Sequence, residues 1–306
     1  MLFRSDPSKL GVGWMGERVA TVDLARVRAN IEARRDDVGW GPNATFRFPL
    51  HGGTGAIWRS LGSRLPARNI SFGRVAIGVD SRRRVVHFDD GTIEHYDRLI
   101  SSMPLDRLLQ LLAGEPQLQE LSGHFVHSSS HIVGIGLEGQ VPDELRTKCW
   151  MYFPESNCPF YRATVFSNYS PNNVARPGTQ WSLMAEVSES PDKPVAADVV
   201  QDVIAGLRNV RLIGDGVRIV AKWHRRLEHG YPTPWLGRDE VLARIEPVLV
   251  AKGIYSRGRF GAWRYEVSNQ DHSAMQGVEA VDNILLDTAE STVRGRMDVE
   301  PPALGR

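Results

Sequence analysis

Between residues 127 and 225 apolar and polar residues alternate in one segment after another: "SSSHIVGIGLEG", "CWMYFP", "YRATVFSNYS", "QWSLMAEVS" and "VRIVAKWHR". A period of two sends successive side chains to opposite faces, so each segment reads as a half-buried strand. Their succession, broken by one helix at about 195–208, reads as an antiparallel sheet. No other feature limits the fold as strongly.

The flanks read differently. "TVDLARVRANIEARRD" (21–36) places Leu24, Val27 and Ile31 on one face of an amphipathic helix, with Thr21 or Asp23 as N-cap. The turn Gly52-Gly53-Thr54-Gly55 opens a helix through Ile57, Trp58 and Leu61. Residues 70–102 read as strands with a hairpin at Asp90-Gly91, and "LDRLLQLLAG" follows as a helix. "DEVLARIEPVLVAKG" and "HSAMQGVEAVDNILLDTAEST" are the last two helices; in the second, Met275, Val278, Val281 and Ile284 form the expected buried stripe. The tail "DVEPPALGR" reads as disordered. The fold class is α/β with α+β character, an α/β piece at each end wrapped around an antiparallel sheet.

Composition excludes several functions. With 306 residues and a net charge of +1, the chain can bury a large core but has no global field to recruit nucleic acid or an anionic membrane. No window approaches the roughly 18 apolar residues of a membrane span, and "MLFRSDPSK" lacks the pattern of a signal peptide. Cys149 and Cys158 make no C-x-x-C pair and read as reduced thiols of a cytoplasmic protein, with a disulfide between them as the alternative. His124, His127 and His131 have metal-like spacing, but on a strand entry three such side chains do not converge without a partner element, so they read as sheet-lining and no metal is expected.

Gly11-Val12-Gly13-Trp14-Met15-Gly16 spells G-x-G-x-x-G. A phosphate-binding turn needs a buried strand before the first glycine and a helix after the last. Here polar residues and Pro7 precede it and Glu17-Arg18 follows, so the match reads as accidental.

Three segments concentrate arginine and aromatic residues. "CWMYFPESNCPFYRATVFSNYSPNN" carries Trp150 and Tyr152 on one strand face, then Arg162 and Tyr169. "HRRLEHGYPTPW" holds Tyr231, and "SRGRFGAWRYEVSNQDHS" holds Arg257, Arg259, Trp263, Arg264 and Tyr265. Rings stack on a base and guanidinium groups fork onto phosphates, so together these suit a ligand with an aromatic base and a diphosphate. Ser268-Asn269-Gln270 leads into a helix from about Ser273, whose free N–H groups favour an anion or an electron-rich carbonyl.

"GWMGERVA", "WGPNATFRFP", "GGTGAIW", "CWMYFPESNCPFYRATVFSNYSP", "EVSES", "HRRLEHGYPTP" and "RGRFGAWRYEVSNQDHSAMQGVEAVDNI" together resemble the eukaryotic-type UDP-galactopyranose mutases, from about Trp14 to Ile284. The resemblance implies an FAD-dependent isomerase, with NADPH as reductant, that interconverts the pyranose and furanose forms of UDP-galactose through an adduct of reduced flavin N5 with galactose C1. It implies that Arg18 and Arg162 clamp the diphosphate, that Tyr169, Tyr231 and Tyr265 bond the phosphates, that Asn269 lies near the galactose, and that Trp150 and Tyr152 lie on the substrate side of the cleft. Arg18, Arg162 and Asn269 are the implied catalytic residues, and Val75, Arg259, Ser268, Asn269, Gln270 and Ser273 the implied flavin contacts. Arg47 has the family's context without an assigned role.

The implied organisation is a helical-domain remnant at 1–40 and part of an FAD/NAD(P)-binding fold at 41–122. An antiparallel substrate domain follows at 123–235, then a return to the flavin-binding fold at 236–292 and a tail at 293–306. Because the family's strand–glycine-turn–helix for FAD is missing, the chain reads as a C-terminal portion, inactive alone. UDP-galactose is the expected partner, without nucleic acid or membrane insertion, and with room for a homo-oligomer. The alternatives are another flavoenzyme of the amine oxidase or desaturase type, and a non-catalytic nucleotide-sugar-binding remnant.

Overall fold

The computed structural model describes residues 3–15, 22–36 and 45–295. In chain order the elements are α1 (Leu24–Glu32), α2 (Gly55–Gly62), β1 (Ala76–Asp80), β2 (Val85–Phe88), β3 (Ile93–His95), β4 (Leu99–Ser101), α3 (Leu105–Leu111) and α4 (Pro116–Leu121). Then come β5 (His127–Glu138), β6 (Trp150–Tyr152), β7 (Arg162–Val165), β8 (Gln180–Glu189), α5 (Val199–Asn209) and β9 (Ile219–Pro232). The last are α6 (Arg238–Ala251), β10 (Ile254–Ser256) and α7 (Gln270–Leu286).

The alternating segments form one antiparallel five-stranded sheet in the order β6-β7-β8-β5-β9. One face is apolar: Val133, Ile135 and Leu137 of β5 meet Leu183, Ala185 and Val187 of β8. α5 covers that face with Val199, Val203, Ile204 and Leu207. Close approach explains Gly206 inside α5, since a Cβ there would lie 2.7 Å from Pro159 Cδ and 3.0 Å from Cys158 Cβ. Along the edge strand β9 the exposed side chains include Lys222, Arg225 and Arg226, whose charges discourage pairing with another sheet.

A second core gathers Leu105, Leu108 and Leu109 of α3 with Leu242, Ile245 and Leu249 of α6. β1, β2 and β3 make an antiparallel meander whose β2–β3 turn is closed by Thr92 N–H donating to Asp90 Oδ1 at 2.9 Å, with Gly91 at φ +81°. β4 and β10 pair in parallel, tying the middle of the chain to its last third.

Two helical expectations need correction. α7 forms, but Met275 and Val278 are 48% and 53% exposed, and Val281 is also exposed; the buried residues of α7 are Gln276 and Ala280. The reason is polar: the Gln276 amide accepts from Gly258 N–H at 2.7 Å and donates to the Val267 carbonyl at 2.9 Å, so that side of the helix must face the preceding loop. α1 is capped by Asp23 as expected, yet Leu24 and Ile31 are exposed and its buried residue is Asn30, which accepts from Arg35. Periodicity marks an apolar face but not what covers it. The tail from 298 lies outside the described residues.

Candidate functional site

The sheet's second face carries the polar row. Tyr152, Arg162 and Glu186 are cross-strand partners on β6, β7 and β8, so their side chains share one face. The buried Glu186 carboxylate accepts from Arg162 Nε and Nη2, each at 2.8 Å, and from the Tyr161 hydroxyl at 2.6 Å. The guanidinium carbon lies 6.0 Å from the Tyr152 ring centre. Burial disfavours the Arg162 charge, but Glu186 together with the Tyr231, Tyr161 and Tyr152 phenols outweighs it and raises the group's pKa, keeping it cationic. Burial raises the Tyr161 pKa, so its phenol stays a donor.

Beside this row, Arg259 lies over the Tyr231 ring at 4.9 Å and donates through Nε to the Ser268 carbonyl at 3.1 Å. Tyr231 and Tyr265 meet edge-on at 5.8 Å. Gly230 makes the placement of Tyr231 possible: a Cβ there would sit 2.2 Å from Ser130 Oγ, at the register shift between β5 and β9. Tyr231, Tyr265 and Arg259, expected from scattered segments, are thus drawn together, and Tyr231 lies near enough to Tyr161 and Arg162 to interact electrostatically with both.

Tyr169 has other company. Its ring neighbours are Phe46 at 5.0 Å, Phe48 at 5.1 Å, Phe166 and Trp150, and burial raises its pKa. Trp150 reaches this group through Phe46 at 5.0 Å. Arg47, between the two phenylalanines, is exposed. Arg18 lies outside the described residues.

At the start of α7, Asn269 is the N-cap residue, and Ser273 N–H donates to its carbonyl at 2.9 Å. Gln270 Oε1 accepts from Trp58 Nε1 of α2 at 3.2 Å, joining the glycine-rich turn to this helix end. Ser268 is buried and donates to the Tyr265 carbonyl. His272 Nδ1, in the same turn, is buried with no protein partner. Val75 lies one residue before β1 and exchanges bonds with Asp89, at 2.9 Å each way.

The described part of the stretch from Lys9, residues 9–15, includes no strand running into Gly11. Pro7–Lys9 is a single 3-10 turn, Leu10 bridges Trp235, and Gly11 N–H donates to the Pro234 carbonyl at 2.8 Å. Trp14 instead joins an aromatic triangle with Phe3 and Tyr265, at 5.4 and 5.1 Å. Both cysteines are free thiols, and no described helix is long and apolar enough to cross a membrane.

Glu186, within "EVSES", is a functional candidate that the local pattern does not mark; its signal is a carboxylate flanked by Ala185 and Val187 on β8 and opposite Arg162. Sequence reasoning counted Arg257 toward ligand binding, whereas that guanidinium is buried and bonded to Glu290 Oε1 at 2.6 Å.

No family model matches the chain. A crystal structure of reduced UDP-galactopyranose mutase superposes with a TM-score of 0.91 at 47% identity, covering 97% of this chain and 64% of that one. The chain therefore spans just under two thirds of the matched protein's length. A protein described as a protoporphyrinogen oxidase from Exiguobacterium sp. 255-15 matches at TM-score 0.55 and 17% identity over 75% of this chain and 51% of that one. A CLA-producing fatty acid isomerase from P. acnes matches at 0.52 and 12% over 77% and 52%. These two share the fold alone.

Proposed function

We propose, for a chain that belongs in sequence and fold with the UDP-galactopyranose mutases, that it grips UDP-galactose by its diphosphate while the sugar ring changes between pyranose and furanose forms. The observation that carries this reading is Arg259 over the Tyr231 ring with Tyr265 edge-on to it, and Arg162 near enough to Tyr231 to interact with it electrostatically.

Each side chain has a distinct task. Glu186 uses the Nε and Nη2 edge of Arg162, so the Nη1 edge is what faces a phosphate oxygen. Tyr231 and Tyr265 supply phenolic donors, and Arg259, lying on the Tyr231 ring, adds the charge that Arg162 has already shared with Glu186. Arg18 is proposed as the second arginine of the clamp. Tyr169, enclosed by aromatic rings, supports Trp150, and Trp150 and Tyr152 line the approach for the sugar. UDP must stay held after it leaves the sugar, so charge-assisted contacts at the diphosphate retain the leaving group for its return.

The chain's residues fit one edge of a flavin. The open N–H groups at the start of α7, the unpartnered His272 Nδ1 and the Gln270–Trp58 contact form a polar rim suited to an electron-rich ring edge. When bound, reduced FAD supplies the nucleophile toward the anomeric carbon, with NADPH as its reductant. Asn269, Gln270 and Ser273 would hold the ring edge, Arg259 and Ser268 would fix the loop beside it, and Val75 would meet the adenine.

Tryptophan fluorescence titrated with UDP tests this, because Trp150 and Trp14 flank the group. Tyr231→Phe keeps the ring over Arg259 and removes one donor to a charged oxygen, a loss of about 1.5–3 kcal/mol, or roughly ten- to over a hundredfold in affinity. Equal UDP affinity in wild type and variant contradicts the assignment.

A further inference from the structure

His124, His127 and His131 do not converge: His124 ends a 3-10 turn, and His131 bonds His224 at 3.0 Å and Glu189 at 3.2 Å. His127 instead meets residues from two other elements. Asp106 of α3, His127 of β5 and His229 of β9 bring one ligand atom each to within 4.8 Å of one another. We propose that these three residues form a site for a divalent cation of the zinc class, tying α3 to the sheet.

Two orphaned atoms support this. Asp106 is 8% exposed, and its Oδ1 is buried without a partner while Oδ2 lies 3.3 Å from His229 Nε2. His127 Nδ1 is likewise buried and unpartnered. With the His127 proton on Nε2, toward Glu228, Nδ1 is an acceptor like Asp106 Oδ1, and two unmet acceptors in one cluster are costly unless something electropositive lies between them. Two imidazole nitrogens and one carboxylate are a common donor set for Zn²⁺ and Fe²⁺, with a position left for water.

The surroundings fit as well. Glu228 Oε1 lies 3.8 Å from His127 Nε2, the side away from Nδ1, in the carboxylate–histidine relation that orients a metal-bound imidazole. Trp263 packs against both imidazoles at 6.2 Å, and Phe260 meets His229 at 5.1 Å, enclosing the cluster in aromatic rings.

The imidazoles now stack at 4.1 Å with planes 17° apart, so their lone pairs do not share a point. Binding requires one ring to turn about its Cβ–Cγ bond and the donors to close toward the roughly 3–4 Å separations set by metal–ligand bonds of about 2.0–2.2 Å. The His229 Nε2 proton, which is donated to Asp106 Oδ2, passes to solvent as the cation takes its place.

The test is titration of the tag-free, chelator-stripped full chain with Co²⁺. The expected result is a visible band saturating at one Co²⁺ per chain, abolished by excess Zn²⁺, together with a rise in Tm. Asp106→Asn and His229→Gln should lose the band; Glu228→Gln keeps all three ligands and should weaken binding roughly 10–100-fold. Near-UV circular dichroism establishes that each variant is folded. No band in wild type, or an unchanged band in folded Asp106→Asn, overturns the proposal.

Discussion

Arg162–Glu186 and Arg257–Glu290 are both two-pronged ion pairs, yet they sit in different surroundings. The Arg257 side chain is 5% exposed, and its carboxylate partner is equally enclosed. Arg162 is 22% exposed, lies beside Tyr152 and Tyr161, and is near enough to Tyr231 to interact with it electrostatically. The first pair fastens the loop after β10 to the segment after α7; the second presents a guanidinium edge to solvent. The arginine proposed to bind UDP and the one that holds the fold therefore differ in what surrounds the pair, not in the pair.

The largest expected effect separates the two. Glu290→Ala leaves Arg257 buried and uncompensated, which costs about 3–5 kcal/mol of stability, whereas Glu186→Ala leaves a partly wetted cation and costs about 1–3 kcal/mol. Urea unfolding of both variants checks the order; equal losses would dissolve the distinction. The dry face of the sheet gives a control independent of charge. Gly206→Ala forces a methyl into Pro159 and Cys158, and overpacking of this kind costs about 1–3 kcal/mol, read as a fall in the urea midpoint.

Acid provides the smallest and most graded effect. In the cation-free chain, burial lowers the pKa of both His127 and His131 below the ordinary histidine value, with His229 adding to the shift at His127. The unfolded chain therefore binds more protons than the folded one below about pH 6.5. This contribution is whole above that pH and is lost as pH falls through it, by up to about 1.4 kcal/mol per pH unit for each histidine. Stability measured from pH 7.5 to 5.5 should decline; a flat profile contradicts it.

Much of the fold was legible. Alternation marked β5 through β9, Asp90-Gly91 marked the β2–β3 turn, and the glycines before Ile57 marked the start of α2. These signals are local, set by period and turn chemistry. The exposed stripe of α7 was not legible, because its orientation follows from Gln276 reaching Gly258 and Val267. Of the site, the aromatic–arginine segments pointed to Arg162, Tyr231, Arg259 and Tyr265. Glu186, Asp106 and His229 escaped notice because their partners lie 24, 123 and 123 residues away, a separation no local pattern encodes.

The most direct test of the contrast between the two pairs is UDP affinity, measured by titration calorimetry on Arg162→Lys and Arg257→Lys side by side. Lysine keeps each charge but cannot serve a carboxylate and a phosphate from one planar fork. The account predicts at least about tenfold weaker binding, about 1.4 kcal/mol, for Arg162→Lys, and wild-type affinity for the folded fraction of Arg257→Lys. Equal affinities in the two variants, or a loss confined to Arg257→Lys, would contradict it.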